Sequence, residues 1–238
     1  MPTPPIPETQ YVTQRAASPL KKETMPRCMP LHKRGRNAAV AITAALAISG
    51  CIDVPIGYQQ AAMLAQPGPG LAPKAIVVVP TDLRGAKTAF RPGGNCAGYW
   101  FMSKSGDAII NSVRATLMGA YPEVVVDDGV SDIDSAGPAD RYVLSDIAFT
   151  PELHVGSQFV GTAHVTINIA VTPQGQRLPT VRETLSGFGS DHEDGACHAA
   201  ALAVSRASQH ALHDAMVVLA KNIVNPQAES EIIRSGLR

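Results

Sequence analysis

The apolar positions of this chain fall into runs, alternations and helical spacings that predict seven elements. Ala75 to Val79 is a continuous β-branched run stopped by Pro80, the pattern of a strand covered on both faces. Ile109, Val113 and Leu117 recur at helical spacing with Ile110 beside them, predicting a helix over about 107–120 that Ser105 caps and Gly119 and Pro122 close. Val124 to Val126 reads as a short strand, and 127–140 as an acidic Gly/Ser/Asp loop.

Two longer strands follow. Arg141 to Phe149 sets Val143, Ile147 and Phe149 on one face, and Gly161 to Thr172 alternates Val165, Ile167, Ile169 and Val171 against His164, Thr166 and Asn168. Alternation of this kind means one buried face and one wet face. Pro173-Gln174-Gly175-Gln176 is a turn, after which Leu178 to Phe188 returns as an antiparallel partner. The Ser186 to Ser190 stretch (SGFGS) reads as a flexible end to that strand, because a nucleophile elbow would need Ser where Phe188 stands. Asp194 caps a long helix over about 196–224, with Ala199, Leu202, Leu212, Met216, Leu219 and Ile223 toward the sheet. Asn225-Pro226 opens a short final helix. The order β-α-β-β-β-β-α implies an α+β fold: a mixed, mostly antiparallel sheet of about four to five strands with two helices packed on one face.

Upstream of this domain, the pattern changes. His32, Lys33, Arg34 and Arg36 precede the apolar stretch Ala38 to Ser49, followed by Gly50 and Cys51. A cationic run, an apolar run and a small-residue site are the three parts of a secretory signal. Twelve apolar residues fall short of the roughly 20 that span a bilayer as a helix. Ile48-Ser49-Gly50-Cys51 resembles the lipobox of bacterial lipoproteins, in which cleavage precedes a diacylglyceryl-modified cysteine. That resemblance makes Cys51 the lipidated, palmitate-bearing first residue of the mature chain. Ile52 rather than Asp after Cys51 implies, by the enterobacterial sorting rule, anchoring in the outer membrane facing the periplasm, although Asp53 lies next door and inner-membrane anchoring stays open.

The domain organisation follows. Residues 1–28, with six prolines and no apolar periodicity, read as disordered or as lying upstream of a translation start at Met29. Residues 29–50 form the signal peptide. Residues 51–73, rich in Pro and Gly, read as a flexible tether, and 74–238 as one periplasmic domain.

The formal charge of zero hides a split. Residues 1–50 carry 7 Lys/Arg against 2 Asp/Glu, a balance of +5, and residues 51–238 carry 13 against 18, a balance of −5. An acidic folded part argues against nucleic acid as a partner. With 45% apolar and 17% charged residues and no long apolar run, the composition excludes a coiled coil and a multi-pass membrane protein. No Gly-x-Ser-x-Gly, Walker A or GxGxxG pattern is present to call for a cofactor.

Of four cysteines, Cys28 precedes the cleavage site and Cys51 is the lipidation site. Cys96 and Cys197 remain, and in an oxidising periplasm two leftover thiols make a natural disulfide. Asp191-His192-Glu193-Asp194 with Cys197 and His198 offers metal-ligating groups within eight residues, and His210 and His213 share one turn of the last helix. His192-Glu193 lacks the second His of a zincin, however, and acidic groups at a helix start are already explained by the helix dipole. His192 and His198 thus stay as alternative metal candidates. Asp127, Asp128, Asp132 and Asp134 lack the spacing and closing Glu of an EF-hand loop.

The layout beyond the lipobox is similar to the YajG-type outer-membrane lipoproteins and, in architecture, to small envelope lipoproteins such as LptE. The features carrying that likeness are a helix ending near Tyr121-Pro122, a polar-alternating hairpin with Gln-Gly in its turn, and a long Ala-rich C-terminal helix with a short one after it. The resemblance implies a noncatalytic envelope component that binds a protein partner. The competing class is a metal-binding or enzymatic periplasmic protein built on the Asp191 to His198 cluster.

Overall fold

The computed structural model describes residues 50–61, 72–128 and 138–226. The expectations for 1–28, for nearly all of the signal peptide, for the middle of the acidic loop and for most of the final short helix lie outside these residues.

Among the described residues, eight strands and two helices fold in an α+β arrangement. The strands are β1 (Gly50–Asp53), β2 (Lys74–Val78), β3 (Thr88–Phe90), β4 (Tyr99–Ser103), β5 (Glu123–Asp127), β6 (Asp140–Val155), β7 (Phe159–Thr172) and β8 (Val181–Glu193). Helix α1 spans Ser105–Leu117 and α2 spans Cys197–Val218, continued by a π-helical stretch, Leu219–Val224. Five strands form the main sheet in the order β5-β2-β6-β7-β8, and β1-β4-β3 form a second, three-stranded sheet. In the main sheet β2 is parallel to both β5 and β6, while β6-β7 and β7-β8 are long antiparallel ladders.

Alternation decides which face is buried. Val165, Ile167, Ile169 and Val171 of β7 and Leu185 of β8 turn to the core, joined by Ile109, Val113 and Leu117 of α1 and by Leu212 and Met216 of α2. Strand β6 needs a correction, since Tyr142 and Leu144, not Val143, point inward at its start. Ladder register shifts between Ser145 and Ala148, and Asp146 takes a φ of 45°. One extra residue in a bulge inverts the parity, so Ile147 and Phe149 reach the core after it.

Glycines set how closely α2 approaches the sheet. A Cβ on Gly187 would lie 1.9 Å from the Ala211 carbonyl oxygen, and one on Gly161 would lie 2.5 Å from the Ala203 backbone. The Ser186 to Ser190 stretch is therefore strand interior beneath a helix, not a flexible end. The same seam fixes the rotation of α2. Ala203, Ala207, Ala211 and Ala215 are buried at i, i+4 spacing, whereas Leu202, expected to face the sheet, is 48% exposed.

The connection between β2 and α1, for which the sequence pattern predicts no element, is structured. Strands β3 and β4 and the 3₁₀ turn Gly94–Cys96 lie within it, and β4 pairs in parallel with β1. This small sheet packs under the start of α2 and the end of the β6-β7 hairpin. Ile52, Val54, Phe101, Phe159, Ala200, Ala201 and Val204 form a second core there.

Candidate membrane-attachment site

The residues around Cys51 differ from a tether. Ile52 and Val54 are buried at 4% and 2% exposure, and Ala61 enters the main core. The Val54 amide donates to the Met102 carbonyl, the Gln59 amide to Ser112 Oγ, and Ser205 Oγ to the Pro55 carbonyl. The expected tether over 51–73 is thus docked from 51 to 61, and residues 62–71 fall outside the described residues. Burial of alternate side chains, Ile52 and Val54 with Ile56 half-buried behind them, stabilises this strand on the second core.

Cys51 itself is exposed on β1, opposite Trp100 of β4. Beside it opens a cavity of about 330 Å³ lined by Ile52, Asp53, Lys87, Met102, Ser103 and Lys104 along with Cys51. Trp100 lies on the same surface, with the Arg91 guanidinium 6.0 Å from its ring. Cys51 is disulfide-bonded in this structure. A sulfur carries a disulfide or a thioether, not both, so the lipidation expected at Cys51 would require a form in which that disulfide has not formed.

Cys96 and Cys197 are joined by a disulfide with a Cα–Cα distance of 5.6 Å. It ties the 3₁₀ turn before β4 to the first residue of α2, locking the small sheet to the long helix.

The Asp191 to His198 stretch is divided by the strand that carries it. Arg206 of α2 donates from Nε to Asp191 Oδ2 at 2.6 Å, and its Nη2 pairs with Glu193 Oε1. The Arg206 hydrogen bond holds the Asp191 carboxyl below the usual range, and its two acidic partners push the guanidinium upward. His192, at alternate parity on β8, and His198, in the first turn of α2, are both exposed. Among the described residues no group of three or more His, Cys, Asp or Glu is placed to hold a metal ion. The expected helix cap at Asp194 is not formed; Ala196 occupies the N-cap position without a side-chain cap, as Lys104 does for α1. Ser105 instead shares a 2.7 Å hydrogen bond with Thr88 Oγ1.

One polar constellation escaped the sequence reading. Tyr121 OH donates to Asp140 Oδ2 at 2.8 Å, and its oxygen lies 2.7 Å from Tyr142 OH. Since the single Tyr121 proton goes to Asp140, Tyr142 is the donor to Tyr121. Asp140 Oδ1 also accepts the Gln174 amide at 2.8 Å. Burial, with the neighbouring phenol and carboxylate, raises the Tyr121 pKa above its ordinary value. Burial likewise raises that of Tyr142, opposed in part by the Tyr121 hydrogen bond. The network pins the exit of α1, the start of β6 and the β7-β8 turn together; it faces the core and has a structural use.

No family model matches the chain, and no curated protein matches it. Among solved structures, it is similar to protein XCC0632 from Xanthomonas campestris, of family DUF330, with 11% identity, 75% of this chain and 98% of that chain covered, and a TM-score of 0.46. A second likeness is to a Caulobacter crescentus CB15 protein described as a "putative lipoprotein", with 12% identity, coverage of 69% and 92%, and a TM-score of 0.34. Among the described residues no helix is long and apolar enough to cross a membrane.

Proposed function

We propose that the protein is a lipid-anchored cell-envelope lipoprotein, cleaved between Gly50 and Cys51 and held by acyl chains on Cys51. Its domain is a noncatalytic binding or structural subunit of an envelope assembly, on the periplasmic side of the outer membrane. The observation that carries this reading is the order of cationic run, 12-residue apolar stretch, Gly50 and Cys51. The packing is compatible with such a cut, because Ile52 and Val54, which stay in the cleaved chain, are buried among the described residues. Several acyl chains provide stable attachment, at about 0.8 kcal/mol per buried CH₂. Of the carboxylates in the metal or enzymatic alternative, Arg206 holds Asp191 and Glu193, and Asp194 accepts from Gln158 Nε2.

Radiolabelled palmitate and globomycin test the reading in cells expressing the full chain. Label on the protein, with an uncleaved precursor accumulating under globomycin, is the expected result. No label, and a size that globomycin leaves unchanged, would overturn it.

A further inference from the structure

We propose that the domain docks flush on an anionic lipid surface through the face that carries Cys51, Trp100, Arg91, Lys87 and Lys104. This inference rests on the lipid-anchor reading and adds an orientation to it.

The first argument is the length of the leash. A 23-residue tether over 51–73 would let the domain stand off by up to about 80 Å. Here Cys51 pairs with Trp100 in β1-β4, and the next residue is 4% exposed. The acyl chains would therefore start at the wall of the domain, and the surface around Cys51 has to meet the headgroups.

The second argument is the chemistry of that surface. Lys87 and Lys104 are exposed, line the same cavity as Cys51 and form no ion pair among the described residues. Arg91 is exposed and sits over Trp100. Asp53 is the single carboxylate in the cavity lining, so the cavity keeps an excess of cation. Cations and a tryptophan beside an anchor are the groups that settle at headgroup level, Trp through its amphipathic ring and Lys and Arg through attraction to anionic lipid. The mature chain as a whole carries a balance of −5. An acidic body is repelled by an anionic membrane, so an orientation that puts this local cationic face down is favoured over those that present acidic surface.

Trp100 is the only tryptophan of the chain and reports this directly. The processed protein, purified from membranes, is reconstituted into vesicles of phosphatidylcholine alone or of phosphatidylcholine with phosphatidylglycerol. A fraction of the lipid carries bromine on the acyl carbons nearest the headgroup. Docking predicts that Trp100 fluorescence is quenched in the anionic vesicles, that quenching falls with added salt, and that Lys87→Glu with Lys104→Glu reduces it to the level in neutral vesicles. Acylated protein whose Trp100 is quenched equally in both vesicles, or in neither, overturns the docking and leaves the anchor standing. Protein without acyl chains by mass overturns both. The comparison between wild-type vesicles needs no variant, so a folding defect in the double substitution cannot decide the outcome.

Discussion

A Cβ placed on Gly189 of β8 would sit 1.9 Å from the carbonyl oxygen of Ala207 in α2, a separation no real Cβ adopts. Together with Gly187 and Ala211, where the same distance is 1.9 Å, the two residues mark a seam along which helix and sheet backbones come close. Relief requires the whole helix to lift, because the obstacle is backbone. Gly189→Ala is therefore expected to cost about 3 kcal/mol or more. Gly98→Ala, with nothing within 4 Å of its Cβ, should stay within about 0.5 kcal/mol of wild type. Urea denaturation of both variants tests the seam.

The Cys96–Cys197 bond closes a separation of 101 residues. In the chain-entropy view such a loop gives up to about 4.7 kcal/mol, with 2–4 kcal/mol typical. Replacing both cysteines by serine should lower stability within that range. Hydrogen exchange should rise first at the start of α2 and in the turn before β4, since the bond joins these two places.

Tyr121→Phe removes the donor to Asp140 and leaves a buried carboxylate oxygen short of a partner, a cost of about 1–3 kcal/mol. The pH dependence has a definite sign. Both phenols are raised above 10 in the folded state, so their contribution is complete below the unfolded phenol pKa of about 10 and is lost as pH rises beyond it. Ultraviolet absorbance should show these two phenolates appearing together with unfolding, and the alkaline loss of stability should be smaller in the Tyr121→Phe, Tyr142→Phe double variant.

Asp191 is lowered by Arg206, so its pairing contributes above the unfolded carboxylate pKa of about 4 and fades as pH falls through the folded value. Arg206→Gln should lower the melting temperature at neutral pH and narrow its difference from that at pH 3. An NMR titration of Asp191 should show its midpoint moving upward in the variant.

Much of the main sheet was legible because its signals are local and regular. The period-two pattern from Val165 to Val171 and the helical spacing of Ile109, Val113 and Leu117 both survive in the fold. The turn at Pro173 closes with Gln176 donating to the Pro173 carbonyl. Failures came where a pattern is short or interrupted. Three-residue β3 lacks enough positions to show a period, and the Asp146 bulge shifts the parity of β6 midway. Around the candidate site, Ile52, Val54 and Ile56 do alternate, but Pro55 and Gly57 obscured the strand and suggested a tether. The Tyr121-Tyr142-Asp140 network joins three elements distant in sequence, and no single stretch carries its signal.

Intact mass spectrometry of the protein extracted from membranes addresses the modification of Cys51 most directly. A chain beginning at Cys51 and heavier than its peptide mass by a diacylglyceryl group and an amide-linked acyl chain is the predicted species. A chain that still contains residues upstream of Cys51, with that sulfur in a disulfide, would contradict it.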